Sequence, residues 1–143
     1  MERRKFIKQC CYAGAGVIAG SVLVSCSPIY YAKHTSKGRK LIIAKSEFKY
    51  QVGEKEKTRS YVLVQHPEKD FPICIKDNDG SYSALLLMCT HRSCGLDVGG
   101  HVYTCPCHGS EFDLKGEVIT GPAEEALMKF KTETDEKNIY VQL

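Results

Sequence analysis

The residues capable of metal chemistry crowd into one stretch. Cys89-Thr90-His91-Arg92-Ser93-Cys94-Gly95 opens it, and Cys105-Pro106-Cys107-His108-Gly109-Ser110 closes it. These 22 residues hold four of the eight cysteines and three of the five histidines, His91, His101 and His108. Each half offers a Cys/His pair with a second Cys beside it. Thiolates are soft donors and imidazoles suit iron, zinc and copper, so the set fits a transition metal or an iron–sulfur centre. Three chemistries compete. Two disulfides use the cysteines and leave His91 and His108 without a role. A structural zinc site takes two thiolates and two imidazoles. Yet Cys89-x-His91 and Cys105-x-x-His108 are not zinc-finger spacing, in which Cys pairs with Cys and His with His. The third is a 2Fe-2S centre with two thiolates on one iron and two imidazoles on the other.

The stretch resembles the Rieske family. That family's signature loops, Cys-x-His-x-x-Cys and Cys-x-Cys-His-Gly-Ser, stand here in order. The likeness extends to the apolar strand before the first loop, to Phe112-Asp113 after the second, and to Gly121-Pro122-Ala123, where the family has its proline loop. The resemblance implies one Rieske-type 2Fe-2S cluster. It makes Cys89 and Cys105 ligands of the inner iron, and His91 and His108 ligands of the outer, partly exposed iron. It also implies a Cys94–Cys107 disulfide between the loops and a hydrogen bond from Ser110 that raises the potential. The extra Cys pair is similar to the high-potential branch in cytochrome bc and bf complexes and arsenite oxidase small subunits. Neutral imidazoles in place of thiolates leave less negative charge, so an electron is accepted more readily. Reduction then raises proton affinity at the histidines, and electron and proton travel together.

Three positions depart from that pattern. The segment Arg92 to Thr104 is short for a respiratory Rieske protein, and the Val98-Gly99-Gly100-His101 turn replaces a longer excursion. His101 reads as a surface residue. Phe112 stands where respiratory members commonly carry a Tyr that bonds a ligand sulfur, which lowers the expected potential. Arg92-Ser93 replaces the Leu-Gly common in quinol-oxidising relatives, and a charge there favours a polar or acidic partner.

The elements that must position these loops read as β-structure. Leu41-Ile42-Ile43-Ala44, Tyr61-Val62-Leu63-Val64 and Phe71–Ile75 are short apolar runs, and Tyr82–Met88 leads straight into Cys89. Lys76-Asp77-Asn78-Asp79-Gly80 is a turn signal. Leu127–Phe130 and Ile139–Val141 read as closing strands. The expected fold is all-β, an antiparallel Rieske-type sandwich over residues 41–143, with a cluster-binding subdomain over 88–123. Cys74 reads as a buried free thiol. Gly53–Arg59 reads as a charged, solvated hairpin or loop, and His66 carries no function.

Residues 1–26 read as a targeting segment. Arg3-Arg4 followed by Phe6-Ile7-Lys8 resembles a twin-arginine signal, and a small, apolar run follows from Ala13 to Val24. Leu23-Val24-Ser25-Cys26 resembles a lipobox, which makes Cys26 a lipidation site. The alternative is a retained membrane anchor. The run has 12 residues, or 15 from Cys10, short of the roughly 20 a bilayer span needs. Either reading places the domain in a bacterial cell envelope, anchored on the outer, periplasmic face of the cytoplasmic membrane. Ser27–Lys40 reads as a polar tether, with His34 a solvated linker residue. The chain's net charge of +3 is that of its first 25 residues, so the basic balance is no argument for nucleic acid as a partner.

The expected function is electron transfer as a subunit of an oxidoreductase complex, since no second active site is legible. The electron comes from a quinol beside a cytochrome b-type subunit, with His108 taking the proton. It passes to cytochrome c or a copper carrier. The alternative is a relay subunit of a molybdenum oxidoreductase.

Overall fold

The computed structural model describes residues 29–143. The twin-arginine pair, the apolar run and Cys26 lie outside the described residues. Those described are almost entirely antiparallel β-structure: β1 (His34–Lys37), β2 (Lys40–Ala44), β3 (Lys49–Val52), β4 (Lys55–Thr58), β5 (Tyr61–Gln65), β6 (Pro72–Asn78), β7 (Ser81–Leu86), β8 (Asp97–Val98), β9 (Tyr103–Thr104), β10 (Glu111–Phe112), β11 (Val118–Thr120), β12 (Lys129–Phe130), β13 (Thr132–Thr134) and β14 (Asn138–Gln142). One 3-10 turn, Lys45–Phe48, joins β2 to β3. Three four-stranded sheets form, ordered β1-β2-β14-β13, β12-β7-β6-β5 and β11-β10-β9-β8, with β3-β4 a separate hairpin. No described helix is long and apolar enough to cross a membrane.

The middle sheet explains the unbroken apolar runs. Side chains alternate faces along a strand, and here both faces are buried. Val62, Val64, Ile73, Ile75, Ala84 and Leu86 point into a core shared with Leu41, Ile43, Ile139 and Val141 of the first sheet. Leu63, Cys74, Leu85 and Leu87 point the other way, into a second core with Tyr103, Phe112, Leu127, Cys89 and Cys105. A strand with water on one face alternates apolar and polar; a strand between two cores does not. The cluster loops are thus mounted directly on the base sheet. The β6–β7 turn is the two-residue Asp79-Gly80, both at positive φ (56° and 92°), the backbone that tight hairpins favour.

The tether expected over 27–40 is corrected for its described residues, 29–40. Residues 34–37 form β1, which pairs with β2 from His34↔Ile43 to Lys37↔Lys40. The chain is fixed before that as well. Ala32 N–H donates to Leu63 C=O at 2.7 Å and Leu63 N–H to Tyr30 C=O at 3.2 Å. The Tyr30 hydroxyl donates to Glu47 at 2.6 Å, and Arg59 stacks 3.9 Å from its ring centroid. All four β1 residues are exposed, so the strand has no apolar signature and is held by backbone bonds. Among the described residues, the fold thus includes 30–40 as well as the part from Leu41 onward.

Candidate metal centre

Two loops of matching backbone carry the cysteines and histidines. The first is closed at its base by the Met88↔Gly95 bridge, the second by Thr104↔Glu111 of β9 and β10. Inside the first, Cys89 N–H donates to Cys94 C=O at 2.8 Å and Ser93 N–H to Cys89 C=O at 2.9 Å. Inside the second, Cys105 N–H donates to Ser110 C=O at 2.8 Å and Gly109 N–H to Cys105 C=O at 3.0 Å. The same two bonds, offset by the same intervals, clamp each leading cysteine. Each loop also needs a left-handed residue at the same place, Ser93 at φ 54° and Gly109 at φ 77°. Gly109 adopts that backbone without strain, whereas Ser93 is a β-carbon-bearing residue held there.

The side chains sort by chemistry. Cys89 and Cys105 are free thiols, 1% and 2% exposed. His91 is half-buried and His108 exposed. Their ring centroids lie 5.0 Å apart with planes at 87°. Cys94 and Cys107 are joined as a disulfide. Cys105 Sγ lies with these two in a sulfur trio within 4.8 Å. Two of the three sulfurs are already bonded to each other, so the trio offers one free thiolate and is not itself a metal site. The donor set nonetheless fits a mixed-ligand 2Fe-2S cluster: two buried free thiols, Cys89 and Cys105, and two neighbouring imidazoles, the half-buried His91 and the exposed His108.

A third loop straps the first two. Ala123 N–H donates to Ser110 Oγ at 3.0 Å. Thr90 Oγ1 donates to Glu125 C=O at 2.7 Å. Residues 121–126, which contain a cis Gly121–Pro122 bond, therefore hold one point on each cluster loop. Ser110 is fully buried. Its oxygen accepts the Ala123 amide.

Sequence reasoning brought these loops together but missed the Thr90–Glu125 strap, which joins side chain to backbone 35 residues apart and leaves no pattern in the sequence. The shortened segment forms the β8–β9 hairpin, with Gly99 N–H bonded to Val102 C=O at 2.9 Å. His101 is exposed on that turn. Beneath the site, burial pushes the Cys74 thiol up to about 12, and burial also raises the Tyr103 hydroxyl. The Tyr103 hydroxyl points at Cys74 Sγ, 3.8 Å away. Cys74 is the buried thiol expected. Phe112 is fully buried and has no hydroxyl to offer.

A β-fold with two Cys/His loops stapled by a disulfide defines an iron–sulfur electron-transfer domain. The Rieske [2Fe-2S] domain family matches residues 42–131, more than half of the chain, and the protein belongs to that family. Its expected cofactor is one Rieske-type 2Fe-2S cluster. The chain is 35% identical over 83 residues to a cytochrome b6-f complex iron-sulfur subunit of Prochlorococcus marinus, covering 55% of this chain and 47% of that protein. It is 29% identical over 76 residues to the subunit of that name from Chlorobaculum tepidum, covering 52% and 42%. It thus spans about half the length of these curated relatives. Among solved structures it resembles the cyanobacterial plasma membrane Rieske protein PetC3 from Synechocystis PCC 6803. That match has a TM-score of 0.52 at 31% identity, covering 59% of this chain and 87% of that one.

Proposed function

We propose that Cys89, Cys105, His91 and His108 hold the cluster, and that the protein takes an electron together with a proton from a hydroquinone. It then hands the electron to a cytochrome or copper carrier. One observation carries this reading: the thiols are buried while the imidazole of His108 stands exposed at the tip. When bound, the cluster supplies a one-electron acceptor. The chain does the rest. Cys89 and Cys105 anchor from the dry side, where the second core excludes water. His108 presents its ring to a donor, hydrogen-bonds the hydroxyl and takes its proton. Ser110 donates to a cluster sulfur, and the strap from residue 123 fixes its rotamer.

These relatives are iron-sulfur subunits of a cytochrome b6-f complex, which supports a b-type cytochrome as the partner here. The domain sits at the outer face of a bacterial cytoplasmic membrane, held through Cys26 lipid or a retained anchor. Only Ser27, Pro28 and Ile29 separate Cys26 from the fixed Tyr30. At ~3.3–3.6 Å per residue the four steps from Cys26 to Tyr30 span at most about 14 Å. Under the lipid-anchor reading, a lipid on Cys26 would hold the domain close to the bilayer.

A second reading has its own observation. Arg92 is exposed on the first cluster loop, where an apolar side chain would suit a quinol pocket. This supports a relay subunit of a molybdenum oxidoreductase, docking an acidic face. Purification of the full chain from native membranes in mild detergent separates the two. Co-purifying haem b with a quinol-reducible Rieske signal is the expected result. Molybdopterin fluorescence without haem b would replace the first reading by the second.

A further inference from the structure

Charge is unevenly divided between the base of the fold and its cluster loops. Residues 29–87 carry eleven Lys and Arg against seven Asp and Glu, a net of +4. Residues 88–127, which include both cluster loops, carry two against six, a net of −4. The positive excess starts at the first strand. Residues 29–46 contain five Lys and Arg and no Asp or Glu, and Lys33, Lys37 and Arg39 are exposed. Among the described residues, none of these three forms an ion pair. Glu47 is committed to the Lys33 backbone amide at 2.9 Å and to the Tyr30 hydroxyl.

The register gathers cations on one surface. His34 and Ser36 pair with the buried Ile43 and Leu41, so alternation turns Lys37 away from the core. Lys37 lies directly opposite Lys40, with Arg39 in the turn between them. Like charges directly opposite destabilise a strand pair, and the chain does little to offset these. Glu133 lies 3.7 Å from Lys40 Nζ but 3.2 Å from Lys131 Nζ. We propose that the β1–β2 hairpin is a docking surface for anionic phospholipid, with Lys33, Lys37, Arg39 and Lys40 set against the headgroup phosphates.

Two observations favour a bilayer over an acidic protein. Lys33 stands seven residues beyond Cys26, so an anchor there delivers the hairpin to the membrane surface; this argument rests on the anchoring proposed above. Ile29 and Tyr31, between the two, are 68% and 50% exposed, and a tyrosine suits the membrane–water boundary. A lipid chain and a basic patch are also the two signals that together make attachment stable. The patch orients the domain as well. The β1–β2 sheet and the cluster loops pack on opposite faces of the middle sheet. An anionic surface attracts the first and repels the net negative charge of the second. The cluster loops therefore face away from the lipid and stay open to donor and acceptor.

The test uses the full, cluster-loaded chain on vesicles of phosphatidylcholine with or without ~30% phosphatidylglycerol. Lysines are acetylated and mapped by peptide mass spectrometry. The expected result at low salt is at least ~fivefold slower acetylation of Lys33, Lys37 and Lys40 on the anionic vesicles, with the exposed Lys115 unchanged. Salt at ~0.5 M should abolish the protection, and free glycerol phosphate at the same phosphate concentration should give none. The triple variant Lys33→Glu, Lys37→Glu, Arg39→Glu, with the parent's circular dichroism, should lose the protection of Lys40. Flotation of the vesicles in the same high salt reads the anchor independently. Equal acetylation on the two lipids, protection of Lys57 on the β3–β4 hairpin instead, or protection by glycerol phosphate overturns the docking surface. A chain that fails to float in high salt, yet is protected on phosphatidylglycerol in low salt, overturns the anchor alone.

Discussion

Replacing Ser110 by alanine removes one oxygen from an enclosed position, and two separate consequences follow. The first concerns the strap. Ser110 is fully buried and Ala123 is 3% exposed, so no water can substitute for Oγ. The Ala123 amide, 3.0 Å away, is left without a partner. An unpaired buried donor costs about 1–3 kcal/mol, a large part of the roughly 5–15 kcal/mol that holds a domain folded. The second concerns the potential. In the proposed donor role the Ser110 proton goes to a cluster sulfur, which attracts it more strongly after reduction. A differential hydrogen bond of about 1 kcal/mol is about 40 mV for a one-electron couple. Ser110→Ala should therefore unfold at a distinctly lower temperature in a scan of cluster-loaded protein, and titrate tens of millivolts lower. An unchanged midpoint would refute the strap. An unchanged potential with a lowered midpoint would refute the donor role alone.

Other perturbations carry defined expectations. Phe112→Tyr places a hydroxyl in a fully buried position; it should raise the potential by about 40 mV if a ligand sulfur accepts it, and no rise in a redox titration would sink that assignment. Ser93→Gly relieves a left-handed residue at φ 54°. The relief of about 1–2 kcal/mol exceeds the roughly 0.4–1 kcal/mol of added chain entropy, so the variant should resist guanidinium better than the parent; a less stable variant would contradict the strain. His66 is 5% exposed. Its Nδ1 accepts the Glu68 amide at 3.0 Å, and its ring lies 5.7 Å from that of Phe130. Burial, with Lys69 adding, holds its pKa below 6.5, against a smaller opposing pull from Glu68. The unfolded chain therefore takes this proton first, and the stability due to neutral His66 is lost as pH falls below 6.5 towards the folded-state pKa. Unfolding curves of His66→Gln should show a shallower acid-side loss than the parent, and equal slopes would contradict it.

The site was legible because ligand chemistry needs residue types at fixed spacing. The cysteines and histidines of both loops stand out by type and spacing, whereas the division into the expected ligands Cys89, His91, Cys105 and His108 and the Cys94–Cys107 pair came from the family resemblance; the structure shows the Cys94–Cys107 disulfide. The β-runs were legible for a related reason: Val62-Leu63-Val64 and Ile73-Cys74-Ile75 are apolar throughout because the sheet between two cores buries both faces. What escaped was held by backbone. Strand β1 is polar and exposed along its whole length, so no side-chain pattern distinguishes it from a linker. Ser93 looks ordinary until its φ matches that of Gly109. The Thr90–Glu125 bond and the burial of His66 depend on tertiary placement, which residue type does not encode. Arg92 was visible as a departure, and it is exposed.

The central claim is mixed ligation by two thiolates and two imidazoles. Electron paramagnetic resonance of the dithionite-reduced full chain tests it most directly. The expected result is a Rieske spectrum of low average g, with hyperfine coupling to two histidine nitrogens that changes from a 14N to a 15N pattern when histidine alone is 15N-labelled. A silent sample carrying stoichiometric zinc, or an all-thiolate ferredoxin spectrum without nitrogen coupling, would contradict it.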